Sequence, residues 1–118
     1  MHGLPPNLDL RFFSGRTLIQ ICVGENDCGL NFDDGLSIII TSAIGHFDPD
    51  AGYKKFLYFP DAVGRVGVLL GKRVFSATGS PDGTLTLHFP SKARLEMFDD
   101  SKQYESYVIT HKGRVIVV

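Results

Sequence analysis

The chain has 118 residues, 43% hydrophobic and 21% charged, with a formal net charge of −1. That length and balance fit one folded domain, residues 1–118, with a core of its own, and they exclude a polar disordered chain. No apolar run approaches the ~20 residues a membrane-spanning helix needs, and a near-zero net charge gives no global attraction to nucleic acid or a membrane surface.

Taken in order, Met1-His2-Gly3-Leu4-Pro5-Pro6-Asn7 has no basic segment followed by an apolar one, so no secretory signal and a cytoplasmic location are expected. A short segment, residues 8–13, follows; it reads as a helix with Asn7 as candidate cap and an end near Gly15, or equally as a strand. Strands are expected over residues 16–23, 28–32 and 36–42 from apolar alternation and β-branched content. Asp33-Asp34-Gly35 between two apolar runs is a hairpin signal. Cys22 and Cys28 flank the turn at residues 24–27. With a sufficient core and no histidine nearby in sequence, both are expected to be free thiols that hold no metal.

The pattern then repeats. Gly15-Arg16-Thr17-Leu18 parallels Gly71-Lys72-Arg73-Val74, and Leu30-Asn31-Phe32 parallels Leu87-His88-Phe89, at offsets of 56 and 57 residues. This predicts two intertwined copies, at about residues 7–47 and 61–118, joined by a linker over about residues 48–60. The second copy opens with a helix over residues 62–70, capped by Asp61 and closed by Gly71. It continues in strands over residues 72–78, 84–89, 93–98, 104–110 and 114–118. Its hairpin has Pro90-Ser91-Lys92 where the first has Asp33-Asp34-Gly35, which predicts a looser turn. Val115 to Val118 is apolar without alternation and is expected to be covered on both faces. The fold class expected is all-β, an antiparallel sandwich or open barrel with one or two short helices.

Chemical motifs are sparse. The G-x-S-x-G elbow and the phosphate loop are missing, and Val66-Gly67-Val68-Leu69-Leu70-Gly71-Lys72-Arg73 is one residue short of the latter. Asp48-x-Asp50-x-Gly52 has Gly at the fifth position of a calcium loop and Phe59 at the twelfth, so it reads as a turn. No cofactor, no metal site and no catalytic residue are expected, and the chain is not read as an enzyme. Tyr104, Glu105 and Tyr107 form an unusual polar stretch. There Glu105 should share a face with Tyr107 and Ile109 as a structural anchor.

The stretches Gly15 to Gly24, Leu30-x-Phe32-x-Asp34-Gly35, Gly71-Lys72-Arg73-Val74, Leu85-x-Leu87-x-Phe89 and Tyr104-Glu105-Ser106-Tyr107 together resemble a family of short bacterial proteins of unknown function built from two copies. The resemblance implies no activity. In build such proteins are similar to immunity proteins that neutralise toxins. The expected function is therefore a protein-interaction module of immunity type, with a small-ligand domain holding a cavity between the copies as the alternative. Residues 1–50 carry Arg11 and Arg16 against seven acids, and residues 51–118 carry ten basic residues against six acids. If its turns cluster, Glu25, Asp27, Asp33, Asp34, Asp48 and Asp50, with Tyr53 and Tyr58 as aromatic anchors, would form a surface for a basic partner such as a toxin domain. The assembly expected is a monomer or homodimer.

Overall fold

The computed structural model describes residues 4–5, 8–101 and 105–118. Its described residues form ten strands and one short helix. The strands are β1 (Leu18–Val23), β2 (Cys28–Phe32), β3 (Leu36–Ile40), β4 (Ile44–Asp48), β5 (Gly52–Phe56), β6 (Ser76–Gly79), β7 (Leu85–His88), β8 (Arg94–Met97), β9 (Tyr107–His111) and β10 (Arg114–Val117), and the helix is α1 (Val63–Gly67). They make two five-stranded antiparallel sheets, ordered β1-β2-β3-β9-β10 and β5-β4-β8-β7-β6. The all-β class with one short helix is what the alternating apolar pattern calls for.

Each sheet combines a local three-strand meander with a hairpin from the distant part of the chain. The β4–β5 hairpin leaves the first meander and pairs with β8, while β9–β10 leaves the second and pairs with β3. The registers recur at fixed offsets. Ile38 pairs with Leu30 and Ile109, and Leu95 pairs with Leu87 and His46. The sheets also meet directly through a bridge between Thr17 and Arg73. Around it the backbone bonds are reciprocal. Gly15 N–H donates to Val74 O at 2.8 Å and Gly71 N–H to Leu18 O at 2.7 Å. At the 56-residue offset of the Thr17–Arg73 bridge, Phe12 corresponds in position to Val68 and Arg16 to Lys72, and at the 63-residue offset that separates His46 from Ile109, Asp48 corresponds to His111.

The inward faces share one core. Leu30, Phe32, Ile38 and Ile40 of the first sheet and Leu87, Phe89, Leu95 and Met97 of the second are at most 4% exposed. Cys28 is buried beside them while Cys22 is exposed. Cys22 pairs with Gly29, the neighbour of Cys28, so the two thiols lie on opposite faces of the sheet. Burial also pushes the Cys28 thiol up to about 11. A thiol reagent at neutral pH should label Cys22 rapidly in the native protein and Cys28 only on unfolding, which mass spectrometry of the labelled peptides would read.

Several local expectations change. Residues 48–60 were expected to be a linker, yet they contain β5. Tyr53, Lys54 and Lys55 are all exposed there, so this edge strand has no apolar alternation to mark it. The opening segments shrink to a 3-10 turn at Arg11–Phe13 and a 3-10 turn at Phe59–Ala62 running into α1. Asp61 lies inside that second turn and makes no cap, and Asn7 lies outside the described residues. Val115 to Val118 is covered on one face only: Ile116 and Val118 are buried, but Val115 is 58% and Val117 41% exposed. The second hairpin is not looser either. Asp34 and Gly35 have φ of 61° and 70°, and Ser91 and Lys92 repeat this at 64° and 67°. The first turn uses glycine at its second left-handed position. The second holds two ordinary L-residues there, at a cost of about 1–3 kcal/mol each.

Candidate functional site

The strand directions separate the acids proposed for one patch. Glu25 and Asp27 lie in the β1–β2 turn, whereas Asp33 and Asp34 lie at the far end of β2. Asp48 and Asp50 belong to the β4–β5 tip of the other sheet. Tyr53 follows that tip on β5, and Tyr58 lies beyond the opposite end of β5. The acids therefore form three separate groups. An antiparallel meander sends successive turns to opposite ends of its sheet, and sequence proximity does not reveal this.

At the β2–β3 turn the acids are neutralised from within. Asp34 Oδ2 lies 3.2 Å from Arg16 Nη1, 3.4 Å from Lys112 Nζ and 3.5 Å from His111 Nε2. Asp33 Oδ1 accepts from Thr17 N–H at 3.0 Å. Desolvation raises the Asp34 carboxyl, but bonds to Lys112 and His111 and the charges of Lys112 and Arg16 outweigh it and leave the pKa lowered. Phe12 closes this end of the sheet. Its ring stacks on His111 at 5.1 Å between centroids and lies 4.8 Å from Phe13.

The corresponding end of the second sheet is open. A cleft of about 450 Å³ lies among the β4–β5 tip, the segment after α1 and the β7–β8 turn. Asp48, Pro49 and Asp50 line one part, Val68, Leu69 and Lys72 a second, and Phe89, Pro90, Ser91 and Ala93 the rest. The positions matching Phe12 and His111 hold Val68 and Asp48, and among the described residues no aromatic stack closes this end of the second sheet. Asp48 Oδ1 accepts from Asp50 N–H at 2.7 Å, a side-chain cap that shapes the tip. Among the described residues no cation lies within ion-pair distance of Asp48 or Asp50. Ser91 of the left-handed Ser91–Lys92 pair lines this cleft, and a second cleft of about 430 Å³, which Lys92 also lines, shares Phe89, Pro90, Ser91 and Ala93.

The tip is held to the helix by a hub absent from the sequence reading. Arg65 of α1 donates from Nε to His46 Nδ1 at 2.9 Å and from Nη2 to His46 O at 3.1 Å, and Nη2 also reaches Gly52 O. His46 is fully buried, and its Nε2 has no hydrogen-bond partner among the described residues. Because Nδ1 accepts, Nε2 carries the proton in the neutral ring. Desolvation first, then the Arg65 charge, lowers the His46 pKa against a smaller opposing pull from Asp48. Nothing in the sequence links these residues; only the register of β4 with β8 turns His46 inward.

Of the remaining candidates, Tyr53 lies on the outer face of the second sheet, with its hydroxyl bonded to Glu96. Burial, then that bond, pushes its pKa up to about 12. A side chain at Gly45 would collide with this hydroxyl and with the Glu96 carboxylate. Arg94 lies over Phe47 at 4.6 Å and over Tyr53 at 5.8 Å, so the ring is engaged within the sheet. Tyr107 is a buried anchor: its hydroxyl donates to Gly83 O at 2.6 Å. Glu105 departs from expectation. It precedes β9 and is exposed, and its backbone carbonyl, accepting from Thr41 Oγ1 at 2.6 Å, makes the attachment. Tyr104 lies outside the described residues.

Among the described residues no group of three or more His, Cys, Asp or Glu is placed to hold a metal ion, and no helix is long and apolar enough to cross a membrane. No protein-family model, curated protein or solved structure matches this chain.

Proposed function

We propose that the protein is a duplicated interaction module in which one end has been closed and the other kept open to bind. The open cleft takes a cationic side chain of a partner protein, its aliphatic stem on Val68, Leu69 and Phe89 and its charge near Asp48 and Asp50. The observation that carries this reading is the contrast between the two ends. Asp34 is met by Arg16, Lys112 and His111 beside the Phe12 stack, while among the described residues Asp48 and Asp50 form no ion pair, Lys72 lining the same cleft without reaching them. A volume of about 450 Å³ is within the range of pockets that hold compact ligands. The strained Ser91–Lys92 turn at the rim also supports it, because such strain collects at binding sites. An immunity-type inhibitor acting in the cytoplasm on a basic toxin domain is the biological form this reading takes.

The test is a two-dimensional amide NMR titration with acetylated, amidated tripeptides Leu-Arg-Leu and Leu-Glu-Leu. The arginine peptide should shift amides of residues 48–51, 68–72 and 89–93, with shifts that shrink as salt is raised. Shifts spread over the surface, or equal shifts from the glutamate peptide, would contradict the reading.

A further inference from the structure

A separate feature concerns the sheet edges. Among the described residues four strands are edges: β1 and β10 in the first sheet, β5 and β6 in the second. Exposed edges invite pairing with another chain, and native proteins blunt them with bulges, lysines or covering segments. Three of the four are blunted here. β1 is bulged between Leu18 and Gln20, and its Leu18 backbone is occupied by Gly71 and Lys72. β5 carries Lys54 and Lys55. β6 ends in Gly79, a poor strand residue, with Leu4 and Leu10 packed over its face. β10, Arg114-Val115-Ile116-Val117, has no bulge, proline or glycine, and its one charge is at its first residue.

The free side of β10 is self-complementary. Val118 N–H donates to Tyr107 O at 3.0 Å, so the even-numbered residues of this strand bond inward to β9. By antiparallel alternation the N–H and C=O groups of Val115 and Val117 then point away from the sheet. A two-fold axis at Ile116 sets Val115 of one copy opposite Val117 of the other, twice, which gives four backbone hydrogen bonds. It also joins the exposed outer side chains of Val115 and Val117, 58% and 41% exposed, into one apolar row. That row continues into each sheet through Val108 and Ile39, which lie beside Val117 in register.

We propose that β10 is a homodimer edge: two copies pair antiparallel through Val115 and Val117 to form one continuous ten-stranded sheet. A second copy is the occupant because the strand matches itself about Ile116, as a closed two-fold interface requires. The test is sedimentation equilibrium over a wide concentration range, combined with residue-resolved amide exchange. Wild type should show a monomer–dimer equilibrium, and the Val115 and Val117 amides should exchange more slowly as concentration rises. Val117→Lys should weaken dimerisation by at least about tenfold, equivalent to about 1.4 kcal/mol. Val117→Pro removes the outward N–H and part of the apolar row while sparing the inward bonds of β10 to β9, and should do the same. A wild type that stays monomeric, with rapid exchange at Val115 and Val117 at every concentration, would overturn the proposal. So would a dimer that neither variant weakens.

Discussion

Phe89→Ala and Phe32→Ala are each expected to lower stability by about 3–5 kcal/mol, the range for removing a core aromatic. The two rings are 4% and 3% exposed and occupy matching places, one in each sheet. Phe13 lies edge-on to Phe32 at 6.2 Å, whereas the matching neighbour of Phe89 is Leu69, the residue 56 positions after Phe13. Phe89 also lines the cleft, so its loss should weaken binding as well as folding. Denaturant melts with equal slopes for wild type and both variants would report the energies. A loss below about 1 kcal/mol at either site would show that the inward register assigned to that strand is wrong.

Acid should destabilise the protein through His46. The pKa of this imidazole in the folded state lies below its ordinary value of 6.5. As pH falls, the unfolded chain therefore takes up the proton first. The stability contributed by neutral His46 is fully present above about 6.5 and is lost as pH falls through that range toward the folded pKa, by at most about 1.4 kcal/mol per pH unit. Protonation also removes one of the three acceptors that Arg65 uses, leaving only the carbonyls of His46 and Gly52 to hold α1 to the β4–β5 tip. Arg65→Ala should cost about 2–3 kcal/mol at neutral pH, since it leaves a buried nitrogen and two carbonyls without their charged donor. His46→Ile places at this position the residue found at its register counterpart, Ile109. Thermal melts between pH 5 and 8 should show a steeper acid loss in wild type than in His46→Ile. Parallel curves would remove His46 from the acid response.

What could be read from the sequence follows from how local each signal is. Leu85, Leu87 and Phe89 alternate with Thr86 and His88, and that period alone locates β7 and its buried face. Asp34-Gly35 announces its turn because those residues tolerate left-handed backbone, while Ser91-Lys92 makes the same turn without announcing it. The exchange of hairpins between sheets was not legible, because β4 pairs with β8 across 47 to 53 residues and β3 with β9 across 67 to 75, and such pairing is set by packing. That exchange decides the site. It carries Asp48 and Asp50 away from Asp33 and Asp34 and places them opposite Lys72 and Phe89, segments that share no motif. Val115 to Val118 looked two-sided in sequence because it is uniformly apolar; in the chain it is an edge, and its outer valines remain uncovered.

The reading of the open cleft is tested most directly by a charge exchange. Affinity would be measured calorimetrically for wild type and Asp50→Lys, each against the Leu-Arg-Leu and Leu-Glu-Leu peptides. Asp50 is exposed and its carboxylate holds no ion pair among the described residues, so the substitution should leave the melt unchanged. Wild type should prefer the arginine peptide by at least about tenfold, about 1.4 kcal/mol. Asp50→Lys should lose that preference or reverse it. An arginine preference of the same size in both proteins would contradict the account.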